Sequence, residues 1–90
     1  MENSEIIKMS HVIQEYLVRE NLKEAKPKDL MPILIEKGFF NKDVREGLPL
    51  RKILRDLDSE NQLQLIPQVR ADRKNKNVFW YFNFIMNNDT

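Results

Sequence analysis

The chain has 90 residues, 41% hydrophobic and 32% charged, and its 15 Lys+Arg against 14 Asp+Glu leave a net charge of +1. That length is one domain, and surface scaling buries about 65% of the unfolded chain's surface, enough for one core without staples. The lack of cysteine excludes a disulfide framework and a thiolate zinc site, and a single histidine argues against a histidine metal cluster or a Ser-His-Asp triad.

The first periodic segment spans residues 5–20. Ile6, Met9, Ile13, Tyr16 and Leu17 share one helical face, with Ser4 expected as N-cap and Asn21 as a left-handed stop. Ile7, His11, Gln14 and Val18 form a thinner strip on the opposite side. Such a strip suits an isologous dimer contact, a partner protein, or cover by the C-terminal strand.

Residues 23–26 read as a polar connector. A second helix follows over residues 27–38, with Pro27 in its first turn and Gly38 as its stop. Pro32 predicts a kink, or a helix whose regular part starts late. Phe39 and Phe40 are expected to plug the core from the connector. Residues 41–47 are charged, end in glycine and read as a loop. The third helix starts near Pro49 and ends around Glu60-Asn61, about 18 Å for twelve residues. Leu50, Ile53, Leu54 and Leu57 stand at i, i+3, i+4 and i+7, the cleanest amphipathic pattern in the chain.

After Asn61 the period changes to two. Leu63 and Leu65 alternate with glutamines, and Pro67 argues for an edge or a bulge. Residues 71–77 read as a seven-residue basic loop. Residues 78–85 are the densest β-forming run, with Val78, Trp80, Phe82 and Phe84 facing one way and Phe79, Tyr81 and Asn83 the other. Residues 86–90 are expected to be a frayed tail.

Three helices followed by a hairpin, with residues 27–38, 49–61 and 63–85 as second helix, third helix and wing, resemble the winged helix-turn-helix superfamily. The Gly38-Phe39-Phe40 break and a third helix that feeds directly into a hairpin loosely resemble its HARE-type group. The link from Gly38 to Leu48 is longer than the tight turn of the simplest helix-turn-helix. The expected fold is therefore α+β, mostly α: a three-helix winged helix-turn-helix with a C-terminal β-hairpin wing, one domain over residues 1–90 with its core in residues 5–85. Burial favours the same architecture, because three apolar stripes and one apolar hairpin face are covered most simply by packing on each other.

The resemblance implies double-stranded DNA as partner, with the third helix in a major groove. Its outward face carries Lys52, Arg55 and Ser59, flanked by Arg51 and Asp56. A solvated face with a Lys52–Asp56 pair is the alternative. Arg70, Arg73, Lys74 and Lys76 against Asp72 place a charge of +3 in residues 70–77, which leaves −2 for the other 82 residues. A wing of that charge can reach phosphates or a minor groove; it can equally be a solubilising loop beside an aggregation-prone strand. Trp80, Phe82 and Phe84 read as core, while Phe79 and Tyr81 are available to stack on bases.

No nucleophile stands with a base, no glycine-rich phosphate loop is present, and the carboxylates lack metal spacing, so neither enzyme activity nor a cofactor is expected. No apolar run approaches the roughly 18 residues of a membrane span. The acidic start Met1-Glu2-Asn3-Ser4-Glu5 lacks a signal peptide's basic flank, so a cytoplasmic (or, in a eukaryote, nuclear) protein is expected. The functional expectation is a DNA-binding module in transcriptional regulation. The alternative is an interaction or dimerisation module on the same fold.

Overall fold

Ile6, Met9, Ile13 and Leu17 are buried along α1 (Asn3–Glu20), as their helical spacing requires. The computed structural model describes residues 1–86, so most of the expected tail lies outside the described residues. Helix α1 begins earlier than expected. The Ile6 N–H donates to the Glu2 carbonyl (3.0 Å), Glu2 takes the N-cap position, and Ser4 falls inside the helix. At the other end Asn21 adopts φ 54, and the Leu22 N–H reaches back to the Leu17 carbonyl (2.9 Å). This closes the helix in a left-handed cap.

Helix α2 (Pro27–Glu36) starts directly at its proline, with Asp29 accepting the Lys26 N–H (2.9 Å). Pro32 does not delay it. Pro32 and Lys28, whose carbonyl loses its helical partner, are both exposed, so water can serve that carbonyl. Gly38 (φ 88) turns the chain, and Phe39 and Phe40 pack half-buried against the core. Helix α3 (Leu48–Ser59) buries Leu50, Leu54 and Leu57 and half-buries Ile53.

The segment after Asn61 departs from expectation. Leu63–Leu65 is a 3₁₀ turn, in which Leu65 and Ile66 donate to the carbonyls of Gln62 (3.1 Å) and Leu63 (2.9 Å). Both leucines meet the core from a turn, and a short apolar alternation does not distinguish that from a strand. Pro67 lies in the following turn, outside any strand. The hairpin is β1 (Val69–Arg73) paired antiparallel with β2 (Val78–Phe82), in the register Val69 to Phe82, Ala71 to Trp80 and Arg73 to Val78. Its connection is residues 74–77, shorter than the expected loop and closed by the Lys74 N–H on the Asn77 carbonyl (2.8 Å).

Trp80 and Phe82 are buried, Val78 and Phe84 half-buried and Phe79 exposed, so the expected facing of the aromatic strand is met. The strand stops at Phe82, short of the expected Ile85, because residues 83–85 turn to other partners. The Asn83 N–H donates to the Gln68 carbonyl (3.0 Å). Gln14 grips the Ile85 backbone from both sides: its Nε2 donates to the carbonyl (2.9 Å) and its Oε1 accepts the N–H (2.9 Å). The same Oε1 accepts from Gln68 Nε2 (3.1 Å), and Gln68 Oε1 accepts from the Ser10 hydroxyl (2.9 Å). A polar chain thus runs from inside α1 to the segment after β2, with its buried members satisfied.

The far edge of β2 meets the connector between α1 and α2. Ala25 and Phe82 exchange both backbone hydrogen bonds (2.9 and 2.7 Å). The result is a small, mostly helical α+β domain whose single core joins Met9, Ile13, Leu17, Leu30, Leu34, Leu50, Leu54, Ile66 and Phe82. Among the described residues no helix is long and apolar enough to cross a membrane.

Candidate nucleic-acid interface

The buried leucines of α3 turn Lys52, Arg55 and Ser59 to solvent, where all three are exposed. Ser59 is already engaged, its hydroxyl donating to the Asp56 carbonyl (2.9 Å). No Lys52–Asp56 ion pair forms; the pairs among the described residues lie elsewhere. Arg51 is half-buried at the helix start and donates to the Arg45 carbonyl (2.5 Å).

The hairpin cations are less free than the sequence implies. Arg70 and Arg73 lie on β1, not in the turn. Arg70 pairs with Glu24 and stacks over Tyr81, 5.0 Å from the ring centroid. Glu24 also accepts from Asn83 Nδ2 (2.6 Å), while its own N–H donates to Asn83 Oδ1 (2.8 Å). The Asn83 amide, and after it Arg70, hold the Glu24 carboxyl below its usual value. Arg73 forks onto both Asp58 oxygens (2.8 and 2.9 Å), which lowers the Asp58 pKa and raises that of Arg73. Lys74 approaches Asp72 at 3.5 Å. With Glu24 and Asp58 counted in, the local charge falls from +3 to +1. These exposed pairs are weak and screened, so they lower the standing field without locking the side chains away from phosphate.

A second group of cations is assembled by the fold. A cleft of about 710 Å³ opens between the start of α2, the start of α3 and β2. Lys26 and Lys28 line it from α2, and Arg45 and Arg51 from the approach to α3. Glu46 is the one acid on its wall, 3.8 Å from the Lys28 ammonium. The opposite wall is β2, including Phe79, 46% exposed, and half-buried Tyr81.

Local backbone chemistry explains why these residues meet. Arg45, Glu46 and Gly47 are three successive residues at positive φ (51, 54 and 91). Gly47 lies so close to α2 that a Cβ would stand 2.8 Å from the Lys28 nitrogen and 2.9 Å from the Pro27 carbonyl carbon. The two helix starts can adjoin only because that Cβ is missing. Asp43 fixes the turn by accepting the Gly47 N–H (2.7 Å). Both helices thus present their positive ends beside the cleft.

Of the residues expected to contact DNA, Arg51 alone lines this cleft. Lys52 and Arg55 are exposed elsewhere on α3, Lys76 is exposed in the hairpin turn, and Arg70, Arg73 and Lys74 face carboxylates. Sequence reasoning missed Lys26, Lys28 and Arg45, which stand in a connector, the first turn of α2 and a loop with no shared periodicity; the outward parity of Phe79 was the one legible signal. The α1 strip is divided as well. Ile7 (42%) and Val18 (53%) are exposed with His11, whereas Gln14 is turned to Gln68 and Ile85. Among the described residues no group of three or more His, Cys, Asp or Glu converges as a metal site. Comparison with protein-family models, with curated proteins and with solved structures finds no match.

Proposed function

We propose that this chain is a winged-helix module that binds double-stranded DNA through phosphate contacts. Two topological features support the winged-helix reading: the hairpin follows the third helix, and the link between the first two helices pairs with the second hairpin strand through Ala25 and Phe82. The observation that carries the binding reading is the cluster of Lys26, Lys28, Arg45 and Arg51 against the single acid Glu46, with Lys52 and Arg55 exposed elsewhere on α3. The contact face is accordingly centred on the start of α3, with Lys76 as the hairpin's contribution and the paired arginines of β1 secondary. Transcriptional regulation is the process proposed for it, on the winged-helix resemblance alone.

Fluorescence anisotropy with a random 20-base-pair duplex tests this. Four neutralised phosphates give a salt slope of about −3.6, so raising salt from 50 to 200 mM weakens binding by about 150-fold. Absence of binding at 50 mM salt with protein at about 100 µM, beyond usual non-specific affinities, overturns the proposal.

A further inference from the structure

We infer that the cleft between the helix starts and β2 holds single-stranded nucleic acid, with a base stacked on Phe79 and the adjoining phosphates on Lys26, Lys28, Arg45 and Arg51. The inference rests on the nucleic-acid reading above and goes beyond it, since duplex phosphate contacts have no use for an exposed aromatic ring.

Three observations converge. Phe79 stands on the outward face of β2 at 46% exposure, while its neighbours Trp80 and Phe82 are buried. Close to half of this residue's surface is thus left in water, and a stacked base would cover it. Second, the opposite wall carries four cations and one acid, the charge complement of a phosphate backbone. Third, the cleft holds about 710 Å³ and is open to solvent, so a strand can reach both walls from outside. A cationic groove with an aromatic platform is the general means of holding unpaired nucleotides without sequence preference.

Tyr81 stands next but one to Phe79 on the same strand and carries the Arg70 guanidinium on its ring. That ring is already covered on one side, so Phe79 is the primary platform. The outward face of the hairpin thereby assigns different work to two aromatics of equal parity.

The test compares fluorescein-labelled twelve-nucleotide oligothymidylate with a blunt 20-base-pair duplex by anisotropy, using the full chain at low salt. Phe79→Ala is expected to weaken oligothymidylate binding by about 5- to 150-fold, the loss of one stacked base. It should leave duplex binding and the circular dichroism spectrum unchanged. Phe79→Trp keeps a platform and is expected to retain binding. Arg45→Ala, outside the helices and the hairpin, is expected to weaken oligothymidylate as well and to flatten its salt dependence. If Phe79→Ala binds oligothymidylate like the wild type while duplex still binds, the inference fails and the nucleic-acid reading stands. If neither probe binds, both fail. Displacement of labelled oligothymidylate by decaglutamate as effectively as by unlabelled oligothymidylate also overturns the inference, in favour of an acidic peptide.

Discussion

Gly47 and Gly38 have nearly the same positive φ, 91° and 88°, but different surroundings. Nothing lies within 4 Å of a Cβ built on Gly38, whereas one on Gly47 meets the backbone of α2. Gly38→Ala is therefore expected to destabilise by about 1–2 kcal/mol from conformation alone. Gly47→Ala adds overlap worth about 1–3 kcal/mol more. Urea unfolding of the two variants separates the terms, and equal losses would contradict the close approach. At Asp58 the Arg73 fork depresses the carboxyl pKa. A depressed folded-state value means the ionised form favours the fold. That contribution is present above the ordinary carboxylate range, about pH 4, and is lost as pH falls through the lower folded value. Glu24 behaves in the same sense through Asn83 and Arg70. Asp58→Asn is expected to flatten the acid limb of the stability curve below about pH 4 while leaving its shape at neutral pH.

At the scale of elements, the polar chain from Ser10 through Gln68 and Gln14 to Ile85 joins α1 to the segments flanking the hairpin. Its inner end is dry, with Ser10 and Gln68 both buried, and its outer end is wet. Ser10→Ala orphans the Gln68 oxygen and is expected to cost about 1–3 kcal/mol in unfolding free energy. Gln14→Ala exposes the Ile85 backbone to water and also removes the acceptor of Gln68 Nε2, but that bond is only part-buried and water can replace it, so the effect is expected chiefly as faster amide exchange at Ile85 with a smaller global loss. If the two losses are equal, the burial argument fails. Of this chain only the approach of the C-terminal segment to Gln14 was legible in advance, as one of the covers expected for the α1 strip. Gln14 and Gln68 are 54 positions apart, and amide side chains carry no periodic signal. The helices were legible to within a few residues, because Leu50, Leu54 and Leu57 must share a face in any helix that covers them. The Leu63–Leu65 turn was not, since two leucines two apart fit a strand and a 3₁₀ turn equally.

For the molecule as a whole, the near-zero net charge conceals a rearrangement made by folding. The hairpin's cations meet Glu24 and Asp58 from distant positions, and a new cationic group forms at the cleft. Asp58→Asn is thus expected to raise duplex affinity in the anisotropy measurement at low salt, since the local positive field of the hairpin is no longer offset by that carboxylate. The α1 strip supports a second reading, association through Ile7 and Val18, which remain exposed. Sedimentation tests it: a dimer in the wild type that dissociates in Ile7→Glu supports the contact, and a monomer in both removes it.

By itself the sequence determined three helices, an aromatic hairpin strand with its inner and outer faces, and the left-handed stops at Asn21 and Gly38. Each is a local consequence of side-chain period or backbone preference, acting within a few residues. Only the tertiary structure decided which charges stand alone. Lys26, Lys28, Arg45 and Arg51 come together because Gly47 lets two helix starts meet, and Arg70 and Arg73 are partnered because β1 passes Glu24 and Asp58. Electrostatic interaction depends on distance in space and on solvent, and neither can be read from spacing along the chain.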